Sequence, residues 1–346
     1  MKTIREIGSE FWTNGPTSRN RVFLLSGRTA LEYIIRDILK RYEINSALLP
    51  SYCCHTMIEP FFRHRIPVRF YDIYFDEVKG SITADVPKAR ENEVFYFMNY
   101  FGFHELRGLD LNEVLDNYAV SIEDRTHSCM GGNSESNADY SYASYRKWTG
   151  FDGIAVAVKK NGGFVEYPKT ENSGYTSLRR QAFSMKRDFI HSGFGDKEAF
   201  LSLFEEAEHL LELDYAGYKP SADTMAAFLQ LDTSCIAEKR KENAVVLLEG
   251  LKDIPEMERM FSAVKENDVP LFVPALVKTG RTELRKYLIG NTIYCPIHWQ
   301  VSEFHYGISK RAETLYREEL SLVCDQRYDV EDMERMIDCI RKFYVR

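Results

Sequence analysis

The sequence predicts an α/β chain: a large domain built on a mixed, mostly parallel sheet sandwiched by helices, followed by a small C-terminal α+β domain. Three observations predict it. Short β-rich runs at Val68 to Ile73, Val94 to Met98, Ala119 to Ile122 and Ile154 to Val158 are apolar on successive residues, as strands covered on both faces by helices are. Amphipathic stretches with helical spacing stand before and between such runs. After about residue 160 long charged helical segments take over, and the last hundred residues alternate again. At 346 residues the chain exceeds one typical domain and suits a large domain with an appendage.

Residues 1–20 are polar and read as an N-terminal arm. The large domain spans 21–215. It opens with the apolar run Val22 to Leu25 and a helix from about Arg28 to Tyr42, where Ala30, Leu31, Ile34, Ile35, Ile38 and Leu39 recur on one face behind Ser26-Gly27. Ala47 to Leu49 is a strand stopped by Pro50, and a second helical stretch surrounds Thr56 to Arg63. The four runs named above follow, and Lys197 to Leu213 is a charged helix. Residues 216–250 are a connecting helical region, within a helical stretch from about Ser221 to Leu251. The small domain, 251–346, contains strand-like Leu271 to Val277 and Thr292 to Ile297 and closes with a helix from about Val330 to Tyr344. No internal repeat is visible.

Composition narrows the function classes. Hydrophobic residues are 44% and charged residues 28%, the balance of a globular chain rather than a disordered one. The net charge of −7 argues against a nucleic-acid partner, which calls for a basic face. The seven cysteines include no CxxC pair, and the CxxH from Cys295 to His298 lacks a second half, so no metal site is expected. With no apolar signal core and no bilayer-length run, the chain reads as cytoplasmic and without a membrane partner. Aromatics reach 13%, which a large core, an interface or a ring-stacking site would each explain.

Neither GxGxxG nor GxxxxGK[ST] occurs, nor HExxH, nor GxSxG, so the commonest hydride-transfer, NTPase, zinc-protease and α/β-hydrolase signatures fail. Three polar segments at strand ends or helix starts remain. SGRTAL, Ser26 to Leu31, offers free N–H groups and hydroxyls at a helix entrance, a phosphate cradle or an ordinary N-cap. VSIEDRTH, Val120 to His127, puts Asp124 at a strand end, where a buried acid needs a cation or strong donors, although acids in surface turns are common too. In DYSYASYRKWTGFDGIAVAV, Asp139 to Val158, Lys147 stands amid Tyr142, Tyr145 and Trp148. It is a candidate for a depressed pKa and Schiff-base chemistry, or a snorkelling lysine. Arg146, Ser141 and Ser144 are further phosphate donors.

The order and spacing of these segments resemble the fold type I enzymes that use pyridoxal 5'-phosphate (PLP), and more narrowly the DegT-like family of sugar aminotransferases. SGRTAL, LLPSYCCHT (Leu48 to Thr56), FMNYFGF (Phe97 to Phe103), IEDRTH and the SYRKW lysine segment match in order. KPSADTMAAFLQL occupies the place of the family's dimer-helix region, and SLVCDQRYDVEDMERMIDCI resembles its closing strand, turn and helix. The resemblance implies that Lys147 joins the cofactor covalently and then shuttles a proton, and that Asp124 pairs with the protonated ring nitrogen. It implies phosphate contacts from Gly27, Arg28 and Thr29 with a serine, and His127 near the ring hydroxyl. An amino-acid donor, plausibly glutamate, a keto-sugar acceptor linked to a nucleotide, a homodimer and a place in polysaccharide biosynthesis are implied in the same way.

The chain departs from the pattern in three places. Five residues before the lysine, where the family has its phosphate serine, stands Tyr142, flanked by Ser141 and Ser144. Where an aromatic usually covers the ring stands Cys54, followed by His55, either of which would have to make that contact. The chain is also somewhat short. A sugar dehydratase or other lyase on the same scaffold is a second reading, weakened because dehydratases replace the lysine with histidine. A degenerate PLP-binding regulatory protein is a third, weakened by intact Lys147 and Asp124. On the substrate side, Asn99 and Tyr100 follow a strand, and His298 and Trp299 end another run, although a satisfied core histidine is the commoner case for His298. Arg327 could clamp an anion or make a surface ion pair, and Asp325 could be only a helix cap.

Overall fold

Ser26 accepts the Thr29 N–H on its side-chain oxygen at 3.1 Å, and this cap fixes where the first helix starts. In the computed structural model, which describes residues 20–104, 106–131, 135–168 and 170–345, β1 (Arg21–Leu24) leads into that helix, α1 (Gly27–Leu39). There follow β2 (Ser46–Pro50), α2 (His55–Arg63), β3 (Val68–Asp76), β4 (Ser81–Asp85), β5 (Glu93–Met98), a single turn α3 (Leu111–Val114), β6 (Val120–Asp124), β7 (Tyr140–Ser144) and β8 (Ala155–Lys159). The arm expected over residues 1–20 lies outside the described residues except for Asn20.

These eight strands form one sheet in the order β1-β8-β7-β6-β5-β2-β3-β4. The pairs β3/β2, β2/β5, β5/β6 and β6/β7 are parallel. Every residue of β2, β5, β6 and β7 is buried, and in β2 and β5 this burial on both faces goes with sequences that are apolar on successive residues. Because these four strands point the same way, Ser51, Asn99, Asp124 and the turn after Ser144 all come to one edge of the sheet. β8 departs from the parallel pattern and runs antiparallel to β7 and to β1. The connection from Ser144 to Ala155 holds only a 3-10 turn (Tyr145–Lys147) and a loop, too little chain for a parallel crossover, which needs a dozen or more residues and usually a helix.

The chain continues with β9 (Thr170–Glu171), α4 (Ser173–Ser192), α5 (Lys197–Leu213), β10 (Tyr218–Lys219), α6 (Ala222–Leu229), α7 (Thr233–Gly250), β11 (Met257–Arg259), β12 (Val273–Val277), α8 (Arg281–Gly290), α9 (Lys310–Glu318), β13 (Glu319–Leu322) and α10 (Val330–Tyr344). The stretch expected as one helix from Ser221 to Leu251 is two, because Asp232 caps α7 by accepting the N–H groups of Ser234 and Cys235. The strand expected over Thr292 to Ile297 does not form. Thr292 has φ 62°, and Pro296 has no N–H to give a ladder. β11, β12 and β13 make a three-stranded sheet instead, antiparallel throughout, while β9 and β10 pair separately in parallel. One continuous hydrophobic cluster joins the eight-stranded and three-stranded sheets. Among the described residues no helix is long and apolar enough to cross a membrane.

Candidate active site

At the carboxyl edge of the large sheet lies a cavity of about 280 Å³. Its walls include Gly27 and Arg28 of α1, Cys54 and His55 at the entrance of α2, Asp124, Thr126 and His127 after β6, and Tyr142, Ser144, Arg146 and Lys147 from β7 and its turn. Glu208 and Glu212 of α5 complete one side, and His298 and Trp299 close another. The three segments singled out in the sequence therefore meet in one place.

Asp124 is 1% exposed. Its Oδ2 accepts hydroxyl hydrogens from Tyr96 at 3.0 Å and Tyr142 at 2.9 Å, and its Oδ1 accepts the Thr126 N–H at 2.7 Å. Burial raises its pKa, and the hydrogen bonds from Thr126, Tyr142 and Tyr96 counteract this only in part. Among the described residues no lysine or arginine makes an ion pair with it, so the carboxylate meets the cavity still wanting a cation. Lys147 has solvent-exposed surface in the open cavity. Even so, the surrounding protein mass, and then the neighbouring Arg146 guanidinium, lower its pKa, which favours a free amine. Arg146 is taken up by Glu208, at 2.5 and 3.2 Å, and by the Tyr175 hydroxyl at 3.1 Å.

His127 is buried and accepts the Phe101 N–H on Nδ1 at 3.2 Å, which leaves the ring proton on Nε2. Desolvation, with His298 and Lys147 nearby, lowers its pKa strongly, so it stays neutral. Trp299 stacks on it, with ring centroids 5.6 Å apart and planes at 25°. At the other end, Cys54 is the N-cap of α2. Burial pushes its thiol up, but hydrogen bonds from His55 and Thr56 outweigh this and bring it to about 7. The distances are 3.9 Å to His55 Nδ1 and 3.2 Å to Thr56 Oγ1.

Ser144 Oγ is buried with no hydrogen-bond partner, an unfavourable state for a hydroxyl unless a ligand satisfies it. It faces Gly27, where a Cβ would come within 3.2 Å of Ser144 Cβ. The Thr29 and Ala30 N–H groups are used by Ser26. Those of Gly27 and Arg28 make no hydrogen bond among the described residues and stand at the positive end of α1. A glycine, an unsatisfied hydroxyl and open N–H groups are the parts of an anion cradle, and the cation-seeking Asp124 lies in the same cavity. These residues fit a cofactor with a phosphate at one end and a protonated ring nitrogen at the other.

The two-residue period of β7 separates the candidate serines: Ser144 shares a side with Tyr142, whereas Ser141 points to the opposite face and does not line the cavity. Thr29 is also outside the lining, its hydroxyl 2.9 Å from Ser26 Oγ. Asn99 and Tyr100 do not line the cavity, and Tyr100 donates to the Tyr52 carbonyl at 2.6 Å. Arg327 turns to Asp325, at 2.8 and 2.7 Å, and α10 is capped by Asp329 rather than Asp325. Sequence reasoning missed Thr126, Glu208 and Glu212. Thr126 lay inside a quoted motif, but the α5 glutamates carry no local signal, since only the α4–α5 hairpin brings them here.

The fold is the one seen in solved aminotransferase structures. Among solved structures, S. venezuelae DesV is similar at 17% identity with a TM-score of 0.64, over 94% of this chain and 85% of that one. A DegT DnrJ EryC1 StrS aminotransferase from Brucella abortus is similar at 14% identity and TM-score 0.59, over 93% and 85%. DesI, solved in the presence of its TDP-sugar product, gives 13% and 0.59, over 93% and 79%. No protein-family model matches the chain, and no curated protein does.

Proposed function

We propose that this chain is a PLP-dependent aminotransferase that moves an amino group from an amino-acid donor, glutamate first among those to test, to the keto group of a nucleotide-linked sugar. The observation that carries the reading is the meeting of Lys147, Asp124 and the unpartnered Ser144 hydroxyl in one cavity. Likeness in fold to solved aminotransferases, and to DesI solved in the presence of its TDP-sugar product, supports the substrate class. PLP, when bound, supplies an electron sink for the carbon that gains or loses the amino group.

In this reading Asp124 holds the proton on the cofactor's ring nitrogen, its charge kept in place by Tyr96, Tyr142 and Thr126. Gly27, Arg28 and Ser144 hold the phosphate, and His127, fixed by Phe101 and Trp299, donates from Nε2 toward the ring hydroxyl. The Lys147 amine would hold the cofactor and would take up and return the proton at the reacting carbon, which its lowered pKa favours. Residues 21–215 act as the cofactor domain, 216–250 as the connection and 251–346 as the cap bearing His298 and Trp299. The unit is a cytoplasmic homodimer, a mass that light scattering measures directly.

One spectrum tests the reading. Purified protein mixed with PLP is expected to absorb in the visible, and borohydride should then fix the cofactor on Lys147, located by peptide mass. L-Glutamate alone should bleach the visible band. A colourless mixture, or Lys147→Ala binding PLP as the unaltered chain does, would refute it.

A further inference from the structure

Glu319 begins β13, is 0% exposed, and has no part in the cofactor contacts described above. Its Oε1 is joined to Ser321 Oγ by a short hydrogen bond, and its Oε2 accepts the His298 N–H at 2.6 Å. Ser321 Oγ is in turn 2.8 Å from His298 Nδ1. His298 lines the cavity with Lys147, and Ser321 engages only Nδ1, leaving Nε2 as the ring nitrogen available there. A buried carboxyl is thus linked through one hydroxyl and one imidazole to the reacting space.

We propose that Glu319, Ser321 and His298 form a proton relay, with His298 as a second proton donor and acceptor in the Lys147 cavity and Ser321 and Glu319 as positioning residues acting through it. The steps balance. In one state Glu319 is ionised, Ser321 donates to it, His298 Nδ1–H donates to Ser321, and Nε2 presents a lone pair. When Nε2 takes a proton from the cavity, the Nδ1 proton passes to Ser321 and the serine proton to Glu319. One proton has been gained, it resides on the carboxyl, and His298 is neutral before and after.

The surroundings suit such a device. Burial, with Lys147 nearby, lowers the His298 pKa to about 3, so the imidazole does not itself hold a charge. Burial raises Glu319 to about 8, against the hydrogen bonds from Ser321 and the His298 N–H and the attraction of Arg281. The groups facing the pair from neighbouring elements are Arg281 of α8, Tyr52 after β2, Cys295, Lys147 and His127. Arg281 donates to the backbone carbonyls of Tyr316 and Glu319, at 2.7 and 3.0 Å. Tyr52 donates to the His298 carbonyl. Neither replaces Ser321 as the link between carboxyl and ring.

The relay is read in protein without cofactor, by ¹⁵N NMR of labelled histidine, with His298→Gln assigning the signal. The expected result is a neutral His298 from pH 6 to pH 10, with its proton on Nε2 at the acid end and on Nδ1 at the alkaline end. Glu319→Gln and Ser321→Ala should each hold one tautomer throughout, while Ser321→Thr should restore the switch. A ring whose tautomer ignores pH, or switches equally in Ser321→Ala, or becomes an imidazolium in this range, overturns the relay; the serine variants decide the matter even if Glu319→Gln does not fold. The use of the relay rests on the aminotransferase reading. With PLP bound, Ser321→Ala should keep the visible band, lose at least about tenfold in rate with glutamate at pH 7, and shift the pH profile. Unchanged rate and profile would remove the catalytic role, while failure of PLP to join Lys147 would remove the aminotransferase reading and leave the tautomer result standing.

Discussion

At the scale of single residues, Cys54 is the thiol that lines the cavity. It stands at the N-terminus of α2, where the helix dipole favours an anion, and hydrogen bonds from His55 and Thr56 stabilise its thiolate over the thiol. With a pKa of about 7, the thiolate fraction rises as pH passes from 6 to 8 and then levels off. Iodoacetamide should therefore label Cys54 at a rate that climbs about tenfold between pH 6 and pH 8 and flattens above it. Prior loading with PLP should slow the labelling, and peptide mass separates it from labelling of the exposed Cys235. A rate still climbing at pH 9 would show that His55 and Thr56 do not hold the thiolate. In the sequence Cys54 stands where an aromatic is expected and is a candidate, with His55, for the contact to the ring. The cavity's stacked aromatic pair is Trp299 on His127, two residues too distant in sequence for local pattern to pair.

At the scale of elements, α1 and β7 make the anion cradle together. Gly27 is the first residue of α1, where alanine would be at least as good a helix former, so its lack of a side chain reflects contact with β7 rather than local conformation. A Cβ there would lie 3.2 Å from Ser144 Cβ and 3.8 Å from Ser144 Oγ. Gly27→Ala is expected to weaken PLP binding about tenfold, or about 1.4 kcal/mol, while changing folding stability by less than about 1 kcal/mol. Titration of the visible band and urea denaturation measure the two separately. Equal loss in both would mean that the glycine serves packing alone. The element reading also explains the serines: with β7 fixed as a strand, its two-residue period settles which of Ser141 and Ser144 reaches the cavity. That strand was not legible beforehand, because YSYAS lacks the apolar run that marks its neighbours.

At the scale of the molecule, the eight-stranded and three-stranded sheets are tied together where the turn after β5 meets the chain entering β12. Gly102 has φ +85°. Its carbonyl accepts the Val269 N–H at 3.1 Å, and the Phe101 carbonyl accepts the Leu271 N–H at 2.7 Å. A Cβ at 102 would lie 1.9 Å from the Val269 carbonyl oxygen. Gly102→Ala combines a disfavoured backbone conformation with a backbone clash, so it should cost about 2 to 4 kcal/mol of stability, seen as a lower urea midpoint. Because Leu271, His298 and Trp299 all line the cavity, PLP affinity should fall as well. A variant as stable as the unaltered chain would show that this contact does not fix the three-stranded sheet.

The sequence by itself determined the helix entrance at Ser26-Gly27, the buried strands ending near Asn99 and Asp124, and the order in which glycine, carboxylate and lysine appear. Caps, burial on both faces and strand ends are properties of contiguous residues, so they can be read in place. The tertiary structure alone decided that β8 runs antiparallel, that Ser144 rather than Ser141 faces the cavity, and that Glu208 and Glu212 enter it. It also set Glu319 behind His298. The reason is physical: a cavity wall drawn from residues 27 to 299 is fixed by packing between elements, and packing depends on surfaces that no stretch of contiguous sequence describes.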